Sequence, residues 1–242
     1  MLEIENLTKR FGGVTAVAGL NLSVKKGEVL GFLGPNGAGK TTTMKMVTGF
    51  LTPDSGTARI CGHDILGDTL AAQARLGYLP EGAPAYGEMT PREFLIFIAR
   101  VRGLEGARAA AARDLAVART GLEPVLDRPI DNLSKGFRRR VGLAQAILHD
   151  PEVLILDEPT DGLDPNQKHA VRQLIRDIAA TKTIVISTHQ LDEVEAVCTR
   201  AVIINKGALV ADGTPAELSA RAPDGKLDGL FKSLTSKEEA LA

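Results

Sequence analysis

The chain has almost no net charge. Its 29 Lys and Arg against 30 Asp and Glu leave −1 at neutral pH and a pI near 6.4, which argues against nucleic-acid binding through a broad basic face. Cysteine is nearly missing too. Cys61 and Cys198 lie far apart, match no metal or redox spacing, and read as small buried hydrophobes with no need of an oxidising compartment. No apolar run approaches the roughly 20 residues of a membrane-crossing helix. The start, Met1-Leu2-Glu3-Ile4-Glu5-Asn6, lacks the charged-then-apolar order of a signal peptide. No internal repeat is visible. These absences lead to the expectation of a soluble cytoplasmic chain. What is abundant is apolar residue, 44% of the sequence, enough for one large domain or a core with an inserted subdomain.

One stretch organises the rest. Gly34-Pro35-Asn36-Gly37-Ala38-Gly39-Lys40-Thr41-Thr42 fits G-x-x-x-x-G-K-[ST] without a gap. Val29-Leu30-Gly31-Phe32-Leu33 before it reads as a buried strand, and Thr43 to Val47 after it as a helix stopped by Gly49. Strand, glycine-rich turn and helix form a phosphate-binding loop. Glycines let backbone N–H groups converge on phosphate oxygens, and the helix start adds unpaired donors and a positive dipole end. Lys40 would reach the β- and γ-phosphates, and the Thr41 hydroxyl would ligate Mg²⁺. An ordinary Gly-rich turn is the bland alternative.

Upstream, Leu2 to Leu7 and Leu20 to Val24 alternate apolar and polar residues as half-buried strands do. Phe11, beside the Gly12-Gly13 turn, is either a core residue or a platform for a nucleobase. Thr57 to Cys61 and Leu76 to Leu79 read as further strands, and 81–87 as an irregular loop. From Thr90 to His149 the pattern turns helical. Thr90-Pro91-Arg92-Glu93 is a helix start, 105–119 a second helix, and 137–148 a third carrying Arg138-Arg139-Arg140, read as a solvated basic face. Val153-Leu154-Ile155-Leu156-Asp157-Glu158 is an apolar strand ending in two carboxylates. Thr183 to His189 is another, ending in a polar cluster. A helix over about 167–180 lies between them; 202–211 closes the sheet, and about 214–242 reads as a polar tail.

In a parallel sheet, ligands gather at the C-terminal strand ends, where Asp157, Glu158 and His189 meet the phosphate loop. That set suits phosphoryl transfer from ATP to water. Asp157 would hold Mg²⁺ with Thr41, Glu158 would polarise the water, and His189 would contact the γ-phosphate or position that water.

With these residues in place the chain resembles the ATP-binding subunit of an ABC transporter over nearly all of 1–215. Leu133-Ser134-Lys135-Gly136-Phe137 is similar to the family's L-S-G-G-Q signature, and Leu154 to Thr160 to its Walker B stretch. Gly162-Leu163-Asp164 resembles the D-loop, Ser187-Thr188-His189 the switch histidine, and Phe11 the adenine-stacking aromatic. The resemblance implies an α/β fold: a P-loop NTPase core with a mostly parallel sheet, an N-terminal antiparallel β subdomain and an inserted α-helical subdomain. Its expected division is core 1–81 and 150–215, helical insertion about 82–149, and a short tail 216–242. It also implies ATP and Mg²⁺ as cofactors and a transmembrane permease as partner, placing the chain at the cytoplasmic face of the membrane. A homodimer closed by ATP follows, with Ser134, Lys135 and Gly136 of one subunit over the nucleotide of the other.

The branch resembled is that of drug, antibiotic, sodium and gliding-motility exporters, through Leu-Ser-Lys-Gly and Gly77-Tyr78-Leu79-Pro80-Glu81. Glu81 stands where the family usually has glutamine and is expected to be a metal-side ligand. Lys135 replaces a glycine and Phe11 a commoner tyrosine. An ABC-type ATPase acting on nucleic acid or the ribosome is the alternative. It is disfavoured by a single cassette without a coiled-coil insertion, so no nucleic-acid partner is expected. A GTPase is disfavoured because Asn205-Lys206-Gly207-Ala208 lacks the aspartate of N-K-x-D.

Overall fold

The computed structural model describes residues 1–83 and 85–236. In chain order, β1 (Leu2–Phe11) and β2 (Val14–Val24) form a hairpin over Gly12-Gly13, and β3 (Val29–Leu33) leads through the glycine-rich loop into α1 (Lys40–Val47). Then follow β4 (Ser55–Ile60), β5 (His63–Asp64), α2 (Thr69–Ala74) and β6 (Leu76–Leu79). A helical segment comes next: α3 (Pro91–Val101), α4 (Gly106–Thr120) and α5 (Lys135–Ile147). The chain closes with β7 (Val153–Asp157), α6 (Pro165–Ala179), β8 (Thr183–Thr188), α7 (Leu191–Val197), β9 (Arg200–Asn205), β10 (Ala208–Gly213), α8 (Pro215–Ala220) and α9 (Leu227–Thr235).

Two sheets result. The first is antiparallel, in the order β2-β1-β4-β5; the second runs β10-β9-β3-β8-β7-β6, parallel throughout except at the β10 edge. The central strands β3, β7 and β8 are buried at every position because both faces are covered, and their polar residues are Asp157, Thr183, Ser187 and Thr188. Alternate residues therefore enter different cores. Leu154, Leu156, Ile184 and Ile186 pack with α3, α4, α5 and α6, whereas Val153, Ile155, Val185, Leu30 and Phe32 pack against α1 and the antiparallel sheet. This mixed α/β architecture is the expected fold class.

The helix starts follow their caps. Thr90 and Glu93 form a reciprocal capping box at α3, and Ser134 accepts from the Phe137 N–H, so α5 starts at Lys135, two residues before the predicted start. Residues 214–236 depart from the polar-tail expectation. Thr214 and Glu217 make a second capping box, and Leu218, Leu227 and Leu230 bury against Leu33, Val194, Ala201 and Ile203. Spaced apolar residues among many polar ones hid this third core. Residues 237–242 lie outside the described residues.

Candidate active site

The sheet pairing sets the site. Parallel registers align Leu33 with Thr188 and Asp157 with Ser187, so β3, β7 and β8 end side by side. Gly34 to Thr42 pass from β3 into α1, whose first turn has no side-chain cap. Its leading N–H groups are thus available to a phosphate. Gly39 is required twice over: its φ is +106°, and a Cβ there would lie 2.4 Å from the Ala16 carbonyl. Lys40 is buried, and its ammonium donates to the carbonyls of Gly34 (2.7 Å) and Pro35 (3.2 Å). Burial lowers its pKa, and the carboxylates of Glu158, Asp157 and Glu81 oppose that.

A cavity of about 240 Å³ opens over the loop. Its lining joins Pro35, Asn36, Gly37, Gly39, Lys40, Thr41 and Thr42 to Glu81, Glu158 and Ala16. Asp157 is 1% exposed, and neither carboxylate oxygen has a hydrogen bond of ordinary geometry. Burial raises its pKa, and nearby Glu81 and Glu158 add to this, while the Ser187 and Thr41 hydroxyls lie close enough to oppose it. An orphaned buried carboxylate beside a threonine hydroxyl and a second acid is a hard-oxygen donor set that fits Mg²⁺. Among the described residues no three His, Cys, Asp or Glu side chains form a ready-made metal cluster. A metal here would complete its shell with phosphate and water oxygens, as Mg²⁺ commonly does.

Glu158 sits in the left-handed region (φ +51°), with its N–H donating to the Ser187 carbonyl at 2.8 Å. Thr188 Oγ1 donates to its Oε2 at 3.2 Å. Its Oε1 accepts from the His189 N–H at 3.2 Å and lies 2.8 Å from His189 Nδ1. Phosphate loop, Asp157, Glu158, Glu81 and His189 are therefore brought together. Phe11 is half-exposed at the end of β1, which removes the core alternative, and Lys9 Nζ lies 5.7 Å from its ring centroid. Ser134 caps α5, which begins at Lys135 and Gly136, and none of the three lines the phosphate cavity. Lys135 pairs at 2.8 Å with Asp161 and, with Glu81, Arg138, Arg139 and Glu158, lines a second cavity that shares Glu81 and Glu158 with the first.

The basic triplet needs correction. Arg138 is exposed and Arg140 half-buried over the Phe137 ring, but Arg139 is 6% exposed, and its guanidinium donates to backbone carbonyls around Asp157 and Glu158. The available signal was periodicity. Gly136, Arg139, Leu143 and Ala146 fall on one buried stripe of α5, and the neighbouring arginines do not.

Comparison with known proteins agrees with this geometry. A profile of the ABC transporter family matches residues 17–161. A Nod factor export ATP-binding protein of Paraburkholderia xenovorans (strain LB400) is 40% identical over 220 residues, spanning 90% of this chain and 72% of that one. The linearmycin resistance ATP-binding protein LnrL of Bacillus subtilis (strain 168) is 36% identical, spanning 91% and 71%. A solved ATP-binding subunit of an ABC transporter superposes with a TM-score of 0.89 at 30% identity, over 97% of this chain and 99% of that one. The chain belongs to the ABC transporter family, and within it to the ATP-binding, ATP-hydrolysing subunits.

Proposed function

We propose that this chain powers export of a substrate through a separate membrane permease, by hydrolysing ATP with Glu158 as general base. The observation that carries the reading is the placement of Glu158: its carboxylate lines the phosphate cavity, held by Thr188 and His189 beside the unpartnered Asp157. The relative named as a Nod factor export ATP-binding protein supports the direction of transport.

In this reading Lys40 exchanges the carbonyls of Gly34 and Pro35 for the β- and γ-phosphate oxygens, and the loop N–H groups bind the rest. Thr41, Asp157 and Glu81 would hold Mg²⁺, which neutralises charge developing on the phosphates. Glu158 accepts the proton of the attacking water. His189 leaves Glu158 and donates towards the γ-phosphate. Phe11 stacks on the base.

Ser134, Lys135 and Gly136 do not line their own chain's phosphate cavity, which supports a role at the nucleotide of a second copy, with ATP closing a homodimer that has two equivalent sites. The helical insertion, about 82–149, and the core, 1–81 and 150–215, act as two units with the permease docked in the cleft between them. The protein then works at the cytoplasmic face of the membrane. No helix among the described residues is long and apolar enough to cross it.

The test is a pair of substitutions. Glu158→Gln should reduce turnover by about 10²-fold or more while ATP binding survives, and should sediment as a dimer in saturating ATP. Lys40→Ala should weaken ATP binding itself. Near wild-type hydrolysis by Glu158→Gln would withdraw the assignment of the base.

A further inference from the structure

One side chain gathers the backbone around the acidic turn. Arg139 reaches from α5 to four carbonyl oxygens: Nη2 donates to Asp157 and Glu158, Nη1 to Pro80 at 3.1 Å, and Nε to Pro159 at 3.4 Å. The guanidinium thus spans the end of β7, the turn after it, and the end of β6. A planar fork of five N–H donors can meet such a fan of acceptors, and a lysine ammonium cannot. Burial pulls the arginine pKa down, while Asp157, Asp161, Glu158 and Glu81 support the charge.

What the fork holds is an unusual backbone. Glu158 has a positive φ without being glycine, a conformation that persists only when its surroundings enforce it. Its N–H is tied to Ser187 on β8, and its carbonyl accepts from Arg139 and, at 3.2 Å, from the Asp161 N–H. The direction of the Glu158 side chain follows from that φ. Relaxing the turn into an extended conformation would swing the carboxylate away from Thr188 and His189.

We propose that Arg139 is the positioning residue for Glu158: its guanidinium clamps the left-handed turn that aims the carboxylate into the phosphate cavity, and ties that turn to the loop beginning at Pro80. The proposal rests on the reading of Glu158 as base. It separates two effects that a merely structural arginine would lose together. No atom of Arg139 lines the phosphate cavity, so ATP binding should persist while turnover falls.

The experiment compares the full chain with Arg139→Lys, Arg139→Ala, Glu158→Gln and the Arg139→Ala/Glu158→Gln pair. A fluorescent ATP analogue gives Kd, and phosphate release gives kcat. A misplacement of about 1 Å at a reacting group can cost about 10²-fold, so kcat should fall at least about tenfold in Arg139→Lys and further in Arg139→Ala, with Kd within about threefold of wild type. Millimolar guanidinium, but not NaCl of equal ionic strength, should partly restore Arg139→Ala. The double variant should be no slower than Glu158→Gln alone, because a mispositioned base and a missing one are the same loss. Should Arg139→Ala fail to fold, the split in Arg139→Lys still decides. The proposal is overturned if kcat is unchanged in Arg139→Lys, if Kd is lost along with it, if guanidinium restores nothing, or if the two losses multiply. A Glu158→Gln protein that still turns over removes the base reading and this proposal together. Failure of the Arg139 split alone leaves the base reading standing.

Discussion

At the scale of residues, the least comfortable carboxylate outside the cavity is Glu193 on α7. It is 2% exposed, its Oε1 accepts from Thr160 Oγ1, and its Oε2 has no partner. Burial pushes its pKa up to about 7 and Glu158 adds to this, while the nearby Thr188 hydroxyl, Arg172 and Lys168 oppose it. Between about pH 4.5 and 7 the folded chain keeps a proton that the unfolded chain has lost, so stability falls as pH rises through that window and levels off above it. The penalty above pH 7 is on the order of 3 kcal/mol. Glu193→Gln should remove it. Its melting temperature should exceed that of wild type by a margin that opens between pH 5 and 8, and parallel curves would sink the idea. Single residues are also where sequence reading divides most sharply. The phosphate loop and the two carboxylates were legible because their types and spacing carry the chemistry. Arg139 was not, since one buried arginine within a basic triplet is visible only once α5 has a known inward face. The half-exposure of Phe11 likewise needed the hairpin geometry.

At the scale of elements, the strands of the large sheet were readable because burial on both faces leaves uninterrupted apolar runs. The α3 start was readable because its capping box is written in the sequence. The six-residue α2 was missed: it has no side-chain cap bond, buries only Ala72 and leaves Leu70 84% exposed, so no amphipathic pattern marks it. Helices α8 and α9 were missed for a different reason. Their core is made in common with β9 and α7, and each helix alone offers only one or two buried leucines. That shared core makes a sharp prediction. Leu227 is fully buried, so Leu227→Ala should cost about 2–5 kcal/mol of stability, measured by urea unfolding, although the residue lies far along the chain from the phosphate loop. ATP hydrolysis per folded molecule should hardly change. A midpoint equal to wild type would mean that this segment is the loose tail suggested by its composition.

At the scale of the whole molecule, the question is how a partner could sense the nucleotide. A cleft of about 530 Å³ runs between the core and the helical segment, lined among others by Phe50, Leu70 and Tyr78 on one side and Val101 and Arg102 on the other. Phe50, Leu70 and Val101 are 73%, 84% and 66% exposed, a concentration of large apolar side chains at one cleft that suits a protein partner. The floor leads inward. Tyr78 belongs to β6, which runs through Pro80 to Glu81 at the phosphate cavity, and the Pro80 carbonyl is held by Arg139. Gly77 is backed so closely by α5 that a Cβ would lie 2.1 Å from the Ala146 carbonyl, so β6 and α5 are in direct backbone contact there. A permease helix seated in the cleft would therefore bear on both Glu81 and Arg139 without touching ATP. Leu70→Glu and Val101→Glu put a charge where such a helix would bury apolar surface, while neither side chain lines the phosphate cavity. In vesicles containing the cognate permease, each should cut permease-stimulated hydrolysis and transport by about tenfold, on the scale of losing a central interface residue. Basal hydrolysis of the isolated subunit should stay within about twofold. If stimulation survives both substitutions intact, the permease docks elsewhere. If basal hydrolysis falls in parallel with stimulation, the cleft is a packing seam of the fold and not a docking surface.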